Sequence, residues 1–210
     1  MKKIVLIAIL LAATAVAGRS QESRQDVSLS GTVFIEPAVY ATTPIVVHAN
    51  RAFGALASYR FMMTPSSAIE ANYGITYENT LHYTSSSFGL AGIKVHTRTQ
   101  EISAAYVRSF NYKRYNPFVE VGPGVLIFLP IMNIGTTTHD VKQQTTIAGF
   151  YGAGLAYEIS PSFDIRAEYR GIVTKVPNFG LATTGGTVYD LSTNKYYNIN
   201  VPTIGIAYHF

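Results

Sequence analysis

Carboxylate and guanidinium side chains alternate with apolar residues in several segments of this 210-residue chain. In the clearest case Asp164, Arg166, Glu168 and Arg170 occupy every second position, so an extended strand places all four on one face. In a confined interior such charges can form an ion-pair network, or they can line a narrow path for ions or protons. An unpaired buried charge costs on the order of several kcal/mol, which favours the network. The predicted network residues are Arg60, Glu70, Glu101, Glu120, Glu158, Asp164, Arg166, Glu168 and Arg170.

Histidine and serine residues could bind a metal ion or act in acyl transfer, but their spacing favours neither chemistry. His48, His82, His96 and His139 are scattered along the chain, without the short spacing or the acidic neighbours of a metal site. A nucleophilic serine needs a base within hydrogen-bond reach, and the serines that follow His82 belong to a plain serine-rich stretch. We therefore predict no metal, no cofactor and no catalytic residue, with His209 as an inward-facing polar group.

The alternation of residue types predicts β-strands, most clearly over residues 69–77 and 147–159. One face of these strands is apolar or aromatic, while the opposite face combines charged with small residues. Such a pair of faces suits a small barrel in lipid, whose narrow lumen takes the small and charged side chains. Eight strands are predicted, near residues 27–40, 51–62, 68–79, 97–110, 117–128, 145–159, 162–174 and 197–210.

The predicted fold class is therefore all-β: an eight-stranded antiparallel up-and-down transmembrane β-barrel. Ten strands are the alternative, if parts of 80–96 or 175–196 pair as additional strands. Short breaks between strands alternate with longer ones, as expected for periplasmic turns and outer loops. Tyrosines in or beside the longest loop are candidates for surface recognition, because tyrosine offers a large contact area at low entropic cost. They are Tyr189, Tyr196 and Tyr197.

The first residues are typical of a secretory signal peptide: two lysines, an apolar run over 4–16, and the small residues Ala15 and Ala17 around a cleavage position. As a helix this run would span only about 20 Å, too short for a membrane anchor. We predict a cleaved signal peptide over 1–17, a polar lead-in over 18–26 and a barrel domain over 27–210. The chain has no cysteine for acylation or disulfides. With only 13% charged residues, its net charge of +4 gives no reason to expect a nucleic-acid partner.

The last strand carries Ile204, Ile206, Tyr208 and Phe210 at alternate positions. With this aromatic C-terminal strand, its size and its alternation, the chain resembles the small eight-stranded outer-membrane barrels of the OmpA transmembrane-domain and OmpX type. The resemblance implies a monomeric barrel in a Gram-negative outer membrane, in contact with outer-membrane lipid and lipopolysaccharide, with a lumen filled by side chains. It also implies that Ile206, Tyr208 and Phe210 belong to the signal read by the barrel assembly machinery.

Members of that family serve as envelope structural proteins, adhesins or serum-resistance factors. We therefore expect a structural or surface-interaction role through the outer loops, toward an unknown surface ligand and without catalysis. A narrow pore with a charge-lined lumen is one alternative. The other is an enzyme that modifies lipid A, similar to the deacylase PagL or the palmitoyltransferase PagP. The H-x-S element of PagL is absent, and the charged face of strand 162–174 disfavours the hydrocarbon-lined lumen of PagP.

Overall fold

The computed structural model describes residues 24–40, 45–85, 92–131, 141–181 and 191–210. Within these ranges the chain forms eleven β-strands: β1 (Gln25–Phe34), β2 (Val39–Tyr40), β3 (Ile45–Ala49), β4 (Ala52–Thr64), β5 (Ser67–Thr76), β6 (Asn79–Ser85), β7 (Ile93–Ser109), β8 (Tyr115–Pro130), β9 (Gln144–Ser160), β10 (Phe163–Lys175) and β11 (Tyr196–His209). The described residues contain no helix long and apolar enough to cross a membrane. The predicted signal peptide lies outside the described residues and stays a prediction.

Eight of these strands close into an antiparallel barrel in the order β1-β4-β5-β7-β8-β9-β10-β11. The first and last strands pair with each other, from Asp26 opposite His209 to Thr32 opposite Thr203. Closure satisfies the backbone hydrogen bonds that an open sheet would leave at its edges. The eight-stranded barrel predicted from the sequence is confirmed, with strand ends displaced by a few residues. The barrel begins at Gln25, so the end of the predicted polar lead-in is part of β1.

The three other strands, β2, β3 and β6, continue the wall toward one end of the barrel, each separated from a barrel strand by a short interruption. Strand β2 follows β1, β3 precedes β4 and β6 follows β5, and the extension pairs in the order β2-β3-β6-β7. Proline at position 37 lies in the first break, where it cannot donate a ladder hydrogen bond. The prediction of loops over 41–50 and 80–96 was therefore wrong for β3 and β6. The ten-strand alternative was wrong too, because β6 lengthens the wall and does not widen the ring.

The two faces of the barrel wall differ as the alternation predicts. Outward-facing Ile69, Tyr73 and Ile147 are 50%, 47% and 82% exposed, while inward-facing Glu70 and Arg166 are 1% and 3% exposed. Short turns join β4 to β5, β7 to β8 and β9 to β10 at the end that also holds both ends of the described barrel. We call this the turn end and the opposite one the loop end.

Candidate functional site

The turn-end half of the lumen holds two arginines that connect distant walls. Arg166 on β10 places Nη2 3.2 Å from Asp26 Oδ1 on β1, and Nη1 3.4 Å from Glu70 Oε2 on β5. Arg60 on β4 lies 2.6 Å from the same Glu70 oxygen. In the ring of eight strands β10 and β5 are opposite each other. The Arg166–Glu70 bond therefore crosses the full width of the lumen, while the Arg60–Glu70 pair joins neighbouring strands.

A second ion-pair layer lies nearer the middle of the barrel. The guanidinium of Arg170 binds both carboxylate oxygens of Glu101, at 2.7 and 3.2 Å. Its Nε lies 3.1 Å from Glu120 and 3.1 Å from Glu168. The planar fork of arginine suits such bidentate contact with a carboxylate. Strands β7, β8 and β10 are thereby joined through one buried side chain.

Two phenylalanine rings in the lumen make cation–π contacts with these arginines. The guanidinium carbons of Arg60 and Arg166 lie 4.8 and 5.6 Å from the centre of the Phe118 ring. Arg170 lies 5.5 Å from the Phe150 ring. The Phe118 ring occupies the space over Gly154, where an added Cβ would lie 2.4 Å from the ring. Glycine and charged residues share the lumen face because glycine leaves room for the ring on which the arginines stack.

Carboxylates outnumber guanidinium groups in this part of the lumen. Six buried acids face three buried arginines among the described residues: Asp26, Glu70, Glu101, Glu120, Asp164 and Glu168 against Arg60, Arg166 and Arg170. His209 adds a partner at the turn end, with Nε2 2.9 Å from Asp164 Oδ2. The excess of carboxylates over guanidinium groups makes both ion-pair layers attractive to cations and protons. Their cross-wall bonds at the same time obstruct the path along the axis.

The loop-end half of the lumen is apolar. A cluster of buried side chains extends from Phe34 and Leu126 in the wall to Phe179, which belongs to the segment that follows β10. The Phe179 ring packs edge-on against Tyr83 and Phe128, with centroids 6.4 Å apart in each case. The hydroxyl of Tyr83 on β6 donates to Pro177 O at 2.7 Å. Because β6 prolongs β5, opposite β10, this segment closes the lumen from one wall to the other.

Phe179 is held in an unfavourable backbone conformation. Its φ is 53°, in the left-handed region that bulky residues rarely adopt. Gln144 Oε1 accepts hydrogen bonds from the backbone N–H groups of Asn178 and Phe179, at 2.8 and 2.7 Å, and Phe179 O accepts one from Lys142 at 2.9 Å. Strain of this kind persists only where surrounding contacts fix it. We call residues 176–181, centred on Phe179, the aromatic plug.

One carboxylate lies inside the apolar half. Glu36 is buried in the break between β1 and β2, beyond the membrane-spanning strand, and accepts a hydrogen bond from the Asn79 amide. Burial raises the pKa of Glu36 to about 7, and the neighbouring Tyr197 hydroxyl and Asn79 amide offset only part of that effect. The ionisation of Glu36 therefore changes near neutral pH.

Comparison with known protein families identifies the family of this chain. The family model described as the outer membrane protein beta-barrel domain matches residues 4–210, almost the full chain. The chain belongs to this family. It is consequently an outer-membrane protein, and the resemblance to small eight-stranded outer-membrane barrels is confirmed. The turn end of the barrel is then the periplasmic end and the loop end the outer one.

Solved structures of the outer-membrane barrel class share the fold. OprG from Pseudomonas aeruginosa has a TM-score of 0.57 at 11% identity, covering 90% of this chain and 97% of that one. Neisserial surface protein A has a TM-score of 0.54 at 13% identity, covering 90% and 98%. AlkL, determined in DMPC lipid bilayers, has a TM-score of 0.51 at 15% identity, covering 92% and 94%. At these identities the similarity shows the fold alone. No curated protein matches the chain.

Most of the predicted lumen charges of this outer-membrane barrel lie together. Eight of the nine are buried in the two ion-pair layers or in the Asp164–His209 pair, and the inward position of His209 is as predicted. Glu158 is the exception: it is half-buried at the periplasmic end and forms no ion pair with the described residues. Asp26 was missed because it was assigned to the lead-in. The polar residues at 28, 30 and 32 continue its alternation and could have revealed it.

The structure gives a different result for each of the three predicted recognition tyrosines. Tyr196 is 71% exposed at the outer end of β11, as a surface role requires. Tyr197 is only 7% exposed and faces the apolar cluster, so its prediction as a recognition residue was wrong. The alternation counted back from Phe210 places odd-numbered residues inward, which would have shown this. Tyr189 lies outside the described residues.

Three histidines that are far apart in the sequence lie on neighbouring strands in the structure. His48 on β3 pairs directly with His82 on β6, and His96 Nδ1 lies 2.8 Å from the Glu78 carboxylate. Burial, with Lys94 and the other two histidines, lowers the pKa of His82. The sequence places no acidic cluster beside these histidines, and the structure brings one carboxylate, Glu78, next to His96 because β6 pairs with β7. The described residues contain no group of three or more candidate ligands that could hold a metal ion.

The charged face of β10 covers only the inner part of the lumen. Ile172 continues the inward face of β10 into the apolar cluster, which also includes Val176 directly after the strand. The argument from this charged face against a hydrocarbon-lined lumen therefore applies to the inner half only. Near the outer membrane surface the interior is apolar and aromatic, and it is occupied by the plug.

Proposed function

We propose that this outer-membrane barrel is a non-catalytic surface protein with a closed lumen, acting through the elements beyond its outer rim. The observation that carries the proposal is the two-level filling of the interior. Ion pairs of Arg166 and Arg170 cross the inner half, and the Phe179 plug closes the outer half. Eight strands leave room in a lumen for side chains or one small ligand, so either level is enough to obstruct it.

The outer rim offers a surface suited to contact with a partner. Tyr40, Tyr77 and Tyr196 are 70%, 77% and 71% exposed at that end of the barrel. Their rings supply contact area with little loss of side-chain entropy on binding. The rigid wall beneath them is the kind of scaffold on which outer loops carry function. The proposal includes an unidentified surface ligand, a monomeric state, and recognition of the last strand by the barrel assembly machinery.

Planar-bilayer conductance of the refolded mature chain tests the closed lumen. The folded state is first confirmed by heat-sensitive gel mobility. We expect a silent bilayer for the wild type and for Glu158→Gln, which removes a carboxylate outside the ion-pair layers. Stable current steps whose size changes in Arg166→Gln would overturn the proposal and identify a narrow pore.

Two further measurements separate a surface role from enzymatic activity. Replacing the segment around Tyr196 with a glycine-serine loop should leave the barrel folded and remove binding to cell surfaces or matrix. Mass spectrometry of lipid A from cells that express the chain should show an unchanged acylation pattern. A new or missing acyl chain would refute the absence of catalysis.

A further inference from the structure

Two histidines face each other across the extension that β2, β3 and β6 form at the outer end of the barrel. His48 on β3 pairs directly with His82 on β6, so both side chains leave the sheet on the same face. Val47 and Tyr83, which alternate with them, are buried in the apolar cluster, and the histidines therefore face outward. Directly opposite residues of an antiparallel pair have Cβ atoms roughly 4.5–5.5 Å apart. Two imidazole rings are thus placed side by side.

The outward face of β7 shows that this pair lies beyond the hydrocarbon. Toward the outer end, the residues on that face change from the apolar Ile102 to the polar Gln100, Arg98 and Lys94. Lys94 pairs directly with His82, so the two histidines lie at the polar level of the wall. A dissolved cation therefore reaches them from the outer medium without entering lipid.

Two adjacent imidazoles are suited to a divalent ion of the late first-row transition metals. Imidazole nitrogens bind such ions at about 2.0–2.1 Å, and the Cβ spacing of a cross-strand pair lets two rings reach one ion. Among these ions Cu²⁺ has the highest intrinsic affinity for nitrogen ligands, and it takes tetragonal sites of nitrogen and oxygen. Two neighbouring imidazoles, with water at the other positions, supply such a site.

The neighbouring side chains on this face place the ion between β3 and β6. Among the described residues the next imidazole is that of His96, whose Nδ1 lies 2.8 Å from the Glu78 carboxylate and 3.1 Å from the Thr80 hydroxyl. These contacts orient the His96 ring toward its own partners. Lys94, opposite His82 on β7, brings a positive charge that repels a cation on that side. The favourable position is therefore the one that His48 and His82 share.

We propose that His48 and His82 together bind one Cu²⁺ ion on the outward face of the extension. The expectation of no metal site rested on spacing along the chain, which does not show the partners that strand pairing brings together. The bound ion links β3 to β6 through their side chains, in addition to the backbone ladder. The site is separate from the lumen and does not depend on the function proposed above.

Calorimetric titration of Cu²⁺ into the refolded, tag-free mature chain at neutral pH tests the site. We expect the affinity of the wild type to fall by more than about tenfold in His48→Gln and in His82→Gln. Loss of a direct ligand should cost at least as much as loss of a group that orients a ligand, which costs about 10–100-fold. His96→Gln is the matched control, because it removes an imidazole from the same face and should bind Cu²⁺ like the wild type. Heat-sensitive gel mobility shows that all three variants fold.

Electron paramagnetic resonance of the bound Cu²⁺ counts its nitrogen ligands. We expect coupling to two imidazole nitrogens in the wild type and in His96→Gln, and to fewer in His48→Gln and His82→Gln. Equal Cu²⁺ affinity of the wild type and His82→Gln would overturn the site. Coupling to a third nitrogen that disappears in His96→Gln would overturn the assignment of two ligands.

Discussion

Glu36→Gln should remove a large part of the pH dependence of this barrel's stability. The wild-type carboxyl is buried in the apolar outer lumen, and its pKa rises from 4.5 to about 7. The folded barrel therefore binds this proton more tightly than the unfolded chain does. The stabilisation is complete below about pH 4.5 and is lost as the pH rises to about 7. Each pH unit in that window is worth about 1.4 kcal/mol, so the loss amounts to about 3 kcal/mol.

Glutamine keeps the shape of the protonated side chain and cannot ionise. Urea unfolding in lipid vesicles at pH 5 and pH 8 gives the free energy of unfolding for both proteins. We expect the wild type to lose about 2.5 kcal/mol more than Glu36→Gln between these values, because about two pH units of the window lie between pH 5 and pH 7. Comparing variant with wild type cancels the pairs His96–Glu78 and His209–Asp164, which are present in both.

Glu158→Gln serves as the control, because it removes one carboxylate at the opposite end and leaves the Glu36 pocket intact. The slope contributed by Glu36 should therefore remain in that variant. The same pH dependence in Glu36→Gln and in the wild type would refute the reasoning, since burial would then not hold the proton on Glu36.

Three other outcomes follow from the contacts in the lumen. Arg170→Met leaves Glu101 and Glu120 without their shared guanidinium and should lower the free energy of urea unfolding by about 3–5 kcal/mol, while Glu158→Gln changes it by about 0.5 kcal/mol or less. Gly154→Val drives a side chain into the Phe118 ring and should cost about 1–3 kcal/mol in the same assay; an unchanged stability would mean that the ring can move away. Phe179→Ala should speed hydrogen exchange at the Lys142 amide, which donates to Phe179 O, while the bilayer stays silent because the ion-pair layers remain. A current in Phe179→Ala would show that the plug alone closes the lumen.

The sequence determined the strands and, for most residues, the face on which each side chain lies. Lipid on one side and a narrow lumen on the other impose a period of two, so that Glu70, Glu101 and Arg166 could be assigned inward from local pattern. The same rule applied from Phe210 would have assigned Tyr197 inward, and applied from Ser28 would have included Asp26. Asp26 was missed because the first strand was predicted to begin at residue 27, and Tyr197 was misassigned because it was treated as a loop residue although the predicted strand included it.

The tertiary structure decided which of these side chains meet and what fills the outer lumen. Arg166 pairs with Asp26 from 140 positions away, and Tyr83 bonds Pro177 from 94 positions away. Such partners depend on the order and stagger of strands around the closed ring, which a local alternation does not contain. The apolar plug was hidden for a related reason. Phe179 lies in a segment outside the strands, where no alternation assigns a face, and only closure of the barrel places it inside.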